Sequence, residues 1–176
     1  MMQSNPDNAS EAVPPARPPS PSVVRGWTAI RNGCQTLAQS AERELLIFSR
    51  DLDPDLYDQA PFIAEIRRLA LAYPRLPVRA LLFDARAPVI AGHRMVALAR
   101  RLGSRIAIRR LGEDFRDRPD AFLIADARGY CLRRLADRPE ATLAPRAPAQ
   151  AARLRAEFER MWERSDGDAE LLQLSL

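Results

Sequence analysis

Lysine is absent: all 27 cationic side chains among the 176 residues are arginine. There is therefore no lysine for a Schiff base or a P-loop. Histidine occurs once, at His93, so chemistry that needs two imidazoles cannot be assembled from one copy of the chain. The two cysteines, Cys34 and Cys131, lie far apart and show no paired spacing. That excludes a structural zinc site by pattern and leaves them as small apolar residues. No metal and no cofactor is expected. No apolar run approaches the roughly 18 residues of a membrane span. The N-terminus lacks a basic region followed by an apolar stretch. A cytoplasmic protein without membrane contact is the expectation. Acidic residues number 23, so the net charge of +4 is modest and does not by itself argue for nucleic acid.

What is present suits one domain, with 47% apolar residues to build its core. Residues 1–22 are rich in Pro, Ser, Ala and Asn and read as a disordered tail, with a single domain over 23–176. A helical stripe starts at Val24 and runs through Trp27, Ile30, Cys34, Leu37, Ala38 and Ala41. Leu45 to Phe48 is continuously apolar, the mark of a central strand buried on both faces and flanked by parallel neighbours. A loop from Ser49 to Pro54 follows. Phe62, Ile66, Leu69, Ala70 and Tyr73 stripe a second helix, and Val78 to Phe83 reads as the next buried strand. A third helix is expected over Ala87–Leu102, with Ala91, Met95, Leu98, Ala99 and Leu102 on its core face and His93 away from it. Gly103 is placed as its left-handed stop. Arg105–Leu111 alternates as a half-buried strand. Residues 119–135 read as two strands around a short turn, with Gly129 supplying permissive backbone. A proline-containing connection over 136–147 leads to a last helix striped by Ala151, Leu154, Phe158, Met161 and Trp162. Asp166-Gly167-Asp168 stops it, and Leu171–Leu176 is expected to pack back on the domain. The alternation predicts an α/β fold, a mixed sheet sandwiched by helices.

The hairpin Pro119-Asp-Ala-Phe-Leu-Ile-Ala-Asp126 and its continuation resemble the catalytic hairpin of the phospholipase D superfamily, whose signature is His-x-Lys-x(4)-Asp. Aligned on Asp126, the family's histidine falls at Pro119 and its lysine at Ala121. The element order, the loop after the first buried strand, and Phe158 and Trp162 on the closing helix are similar to one phospholipase D-like half over roughly residues 42–165. Phe-Ser-Arg-Asp-Leu-Asp-Pro, Gly-His-Arg and Trp-Glu-Arg-Ser are similar to phrases of an uncharacterised bacterial domain of that fold. The resemblance implies a phospholipase D-like half without its catalytic histidine and lysine. It also implies pairing, since active members of the superfamily join two halves, and so a homodimer is one expectation.

Arginine concentrates in residues 94–118, with eight against three acids, a local surplus of five positive charges. Guanidinium forks suit phosphate or carboxylate. Ser49, Arg50, Asp51, His93, Arg94, Arg100, Arg101, Arg109 and Asp126 are therefore the candidate anion- or ligand-binding residues, and none is assigned a catalytic role. The expected ligand is an anionic small molecule, a nucleic acid or an acidic protein segment. Three alternatives stay open. The arginines are either a binding face or a solvated face with internal pairs to Glu113, Asp114 and Asp117. His93 is a surface or capping residue, a ligand contact, or the centre of an atypical phosphodiester- or phosphate-processing site. Asp126 is a structural acceptor for Arg109, Arg128 or turn amides.

Overall fold

A computed structural model describes residues 20–73 and 75–167. Residues 1–19 of the expected tail and the Leu171–Leu176 ending lie outside them. One mixed sheet carries the fold, in the order β1-β7-β6-β5-β2-β3-β4-β8. Its strands are β1 (Ser22–Arg25), β2 (Leu45–Ser49), β3 (Val78–Leu82), β4 (Ile106–Arg110), β5 (Ala121–Ala125), β6 (Gly129–Arg133), β7 (Glu140–Ala144) and the two-residue β8 (Asp166–Gly167). The helices are α1 (Trp27–Ser40), α2 (Pro54–Tyr57), α3 (Ala60–Ala72), α4 (Arg86–Ile90), α5 (Arg94–Arg101) and α6 (Pro148–Glu163).

β2 is central, parallel to β3 on one side and antiparallel to β5 on the other. Its continuous apolar run follows from burial on both faces. Leu45 and Ile47 join Leu123, Cys131, Val78 and Ala80 under α1, α3 and α5. Leu46 and Phe48 join Leu81, Phe122 and Ile124 under Leu154, Phe158 and Trp162 of α6. The expected mixed sheet between helices is what forms.

Several local expectations are corrected. Ser22–Arg25 is not the start of the first helix but an edge strand antiparallel to β7. Gly26, at φ 92, makes the bend into α1. β7 itself lies in the stretch expected to be a connection, paired with β6. The third helix is two helices, because Gly92 takes φ 67 and His93 is extended at ψ 129. Ala91 is consequently exposed rather than in the core. The left-handed glycine of this region is Gly92, while Gly103 has an ordinary φ. In the hairpin, Asp126 and Ala127 carry the positive φ values of 53 and 51. Gly129 is needed for space instead: a Cβ there would stand 2.7 Å from Leu37 Cδ2 and 2.7 Å from the Pro145 carbonyl oxygen.

Candidate functional site

β2 ends at Ser49 beside the start of β5 and the end of β6. Phe48 pairs with Phe122 and Ala121 with Arg133. Side chains alternate along each strand, so Ser49, Ala121 and Arg133 point to the same face, the one covered by α1. Arg133 is 2% exposed, and its guanidinium meets Asp53 with both Nη atoms, Nη1 at 3.2 Å. Nη1 also donates to the Ala136 carbonyl, and the Trp27 ring lies 5.5 Å from the guanidinium carbon. Ser49, fully buried, donates its hydroxyl to Asp53 at 2.6 Å. A buried charge is tolerated only when paired and hydrogen-bonded, and this one is both.

Two residues that hold Asp53 in place, Leu52 at φ 67 and Asp53 itself at φ 25, are in conformations rarely adopted by side chains of their type. Backbone strain of this kind persists where the surroundings over-determine it. Here the Asp51 carboxylate accepts from the Asp53 N–H, and Leu52 is fully buried. Tyr57 on α2 is buried against the same cluster, and burial pushes its hydroxyl pKa well up. Cys34 of α1 and Cys131 of β6 are both buried and interact with each other. That interaction and burial push the Cys34 thiol well up, while the same interaction and Arg133 lower Cys131. The cluster is thus a closed polar plug between β2, β6, α1 and α2.

Positions 119 and 121 border this plug. Ala121 lies opposite Arg133, and the Pro119 carbonyl accepts from the N–H of Ala136, whose own carbonyl binds Arg133.

His93 is not on the surface. It is 1% exposed and caps α5, with Nδ1 accepting from the Met95 N–H at 3.1 Å. Its Nε2 completes no hydrogen bond among the described residues. Burial lowers its pKa, against the opposing pull of Asp58, whose carboxylate lies 3.9 Å away.

The other candidate residues do not converge. Arg50 is exposed and lies over Phe83 at 5.8 Å. Arg94 is engaged by Asp58 at 2.9 Å. Arg100 and Arg101 end α5, the first half-buried and the second exposed. Arg109 reaches the opposite face of the sheet, 4.2 Å over Trp162, and donates to the Trp162 carbonyl at the end of α6. Asp126 follows the far end of β5, about 17 Å of strand from Ser49. Its carboxylate accepts from the N–H groups of Glu42, Arg43 and Glu44 at 2.7, 2.7 and 2.9 Å. It takes neither Arg109 nor Arg128 but a different set of amides, those leading into β2.

A general rule explains part of the arginine. Several complete helix C-termini, where unpaired carbonyls and the macrodipole favour a cation. Arg68 donates to the Ala38 and Ala41 carbonyls after α1, Arg105 to Ala70 and Leu71 of α3, and Arg109 to α6. Others are paired: Arg118 with Asp120 and Glu157, Arg116 with Glu113, Arg79 and Arg155 with Glu44 and Glu159. The concentration over residues 94–118 is therefore largely engaged inside the domain, on helix carbonyls, Asp58, Asp120 and Glu157; of the three acids expected to pair with it, Glu113 takes Arg116.

The residues missed by sequence are Asp53, Tyr57 and Arg133. Asp53 sits in the quoted Phe-Ser-Arg-Asp-Leu-Asp-Pro phrase, which was the available signal. Arg133 carried one too, since its alternation with Cys131 on an otherwise apolar strand puts it on the inner face.

The family model described as a domain of unknown function, DUF7931, matches residues 27–174. No curated protein matches. Among solved structures, the archaeal chromatin protein TrmBL2, described as showing a novel mode of DNA binding, is 18% identical with a TM-score of 0.62. The match covers 91% of this chain but only 57% of that one. Nuc from Salmonella typhimurium, a phospholipase D family member, is 17% identical over 85% of this chain and 99% of its own, with a TM-score of 0.56. NucT from Helicobacter pylori is 10% identical over the same shares, with a TM-score of 0.59.

Proposed function

The chain belongs to the DUF7931 family and has the phospholipase D fold, and from that premise we propose that it is a non-catalytic module that binds an anionic partner through surface arginines. The observation that carries this reading is the plug. Where the likeness places a histidine and a lysine, the chain has Pro119 and Ala121. The cation that stands beside them, Arg133, is buried and held by Asp53 rather than open to a phosphate.

A phosphate-processing site around His93 is the competing reading. The 1% exposure of that ring and its engaged Nδ1 speak against it. The cations that remain for a partner are those without an internal acceptor. Arg134 and Arg138 are exposed, and neither has an ion-pair partner among the described residues.

Two measurements test the proposal. Phosphodiesterase assays on bis(p-nitrophenyl) phosphate, DNA and phosphatidylcholine vesicles should stay at background, and turnover abolished by His93→Ala would overturn the non-catalytic half. Anisotropy titrations against a nucleotide, an oligonucleotide and an acidic peptide at low salt should show saturable, salt-sensitive binding of at least one. Silence from all three removes the binding half.

A further inference from the structure

One end of the sheet is built differently from the rest. α6 covers the face of β2, β5 and β6, but Val23 on β1 remains 56% exposed and Leu135, just after β6, 48% exposed. Between them is a cavity of about 780 Å³, lined by Val23, Arg25, Leu132, Arg134, Leu135 and Arg138 among others. Its floor is a cross-strand row, since Val23 pairs with Thr142 and Thr142 with Leu132. Its rim is cationic: three arginines against Glu140, and that carboxylate is taken by Arg25 at 2.8 Å.

The strand beside the cavity is also open along its backbone. β1 is the last strand of the sheet among the described residues. The Gly26 N–H donates to the Pro139 carbonyl at 2.7 Å, which fixes the alternation of the antiparallel pair. Ser22 and Val24 then turn their peptide groups to β7, and Val23 and Arg25 turn theirs outward. An unpaired edge of this kind is a template for another strand.

We infer that this edge and its cavity form a docking site for an extended acidic peptide segment of another protein, which adds to β1 as a strand. The inference rests on the anion-binding reading above and names its partner and place. Backbone pairing with Val23 and Arg25 supplies affinity, apolar side chains of alternate peptide residues enter the cavity, and acidic ones meet Arg134 and Arg138. Charge complementarity selects this occupant. A second copy laid isologously on β1 would face these arginines with their own counterparts. A phosphate backbone, which has acceptors only, cannot match the outward N–H and C=O groups together, and no aromatic side chain lines the cavity to stack a base.

The probe is a fluorescently labelled heptapeptide of alternating leucine and aspartate, titrated into the full chain. Saturable binding is expected, weakened about tenfold or more in Arg134→Ala/Arg138→Ala. Methylating alternate backbone nitrogens of the peptide should weaken it to a similar degree with the protein untouched. Val23→Pro, which removes only an outward N–H, should do the same. Binding that survives N-methylation would overturn strand addition. Failure of the peptide together with oligonucleotide binding that depends on Arg134 and Arg138 would overturn this inference and leave the anion-binding reading standing. Silence from the peptide, the oligonucleotide and the nucleotide alike would overturn both. A dimer that Val23→Pro dissolves and the peptide does not would assign the edge to a second copy instead.

Discussion

Arg133 and Arg134 are adjacent in the chain and have opposite fates. Arg133 points under α1, is 2% exposed, and spends its guanidinium on Asp53 and the Ala136 carbonyl. Arg134 points to the other face, exposed beside α6, and stands at the rim of an open cavity. The difference is one step of strand alternation combined with what covers each face. It teaches that, in a chain whose cations are all arginine, residue type says little about role. The same guanidinium is a core component at one position and a free surface charge at the next.

The largest effect should come from breaking the closed half of this comparison. Arg133→Ala leaves the half-buried Asp53 carboxylate, 19% exposed, without its counter-charge beside the strained Leu52–Asp53 backbone, which costs about 2–3 kcal/mol, less than for a fully buried pair. Urea denaturation should register it as a shift of the midpoint, and a loss below 1 kcal/mol would mean that the plug is not a unit.

A second test titrates the border of the plug. Burial keeps His93 neutral by holding its pKa below the ordinary 6.5. The unfolded chain therefore binds a proton there that the folded chain refuses. Stability contributed by this group is present above pH 6.5 and falls as the pH drops below 6.5 toward the folded-state value. In His93→Asn, whose amide oxygen can still cap Met95, the pH dependence in that window should flatten, as read from thermal midpoints. An unchanged slope would place the acid sensitivity elsewhere.

The smallest effect sharpens the open half. Arg134→Ala/Arg138→Ala removes two exposed cations with no ion-pair partner among the described residues, so stability should change by about 0.5 kcal/mol or less. A destabilisation comparable with that of Arg133→Ala would erase the contrast between the two arginines.

Much of the fold was legible in the residues. The continuous run at Leu45–Phe48 reads as a doubly buried strand, and it is the centre of the sheet. The amphipathic stripes of α1, α3 and α6 also read correctly, because a helix must present one apolar face to a core whatever that core is. Weaker signals failed for identifiable reasons. β7 has only five residues with an exposed glutamate at its start, and β1 has four with little burial. Neither declares itself without a partner to pair with. The helix over Ala87–Leu102 looked continuous because the stripe runs through Gly92 and His93, and a permissive glycine shows its positive φ only in the folded backbone.

The site was harder to read than the fold. The nine candidate positions do not meet in one place. Asp126 instead fastens the start of β2, Arg109 closes α6 on the opposite face, and only Ser49 and Asp51 touch the plug directly. By itself the sequence determined the class of fold, the absence of lysine, the single histidine, and the lack of a histidine or lysine at 119 and 121. Those are properties of composition and local periodicity, which act over a few residues. Only the tertiary structure decided which arginines are spent and which are free. A guanidinium's partner is chosen by strand register and helix packing between residues as far apart as Asp53 and Arg133, and no local pattern encodes that pairing.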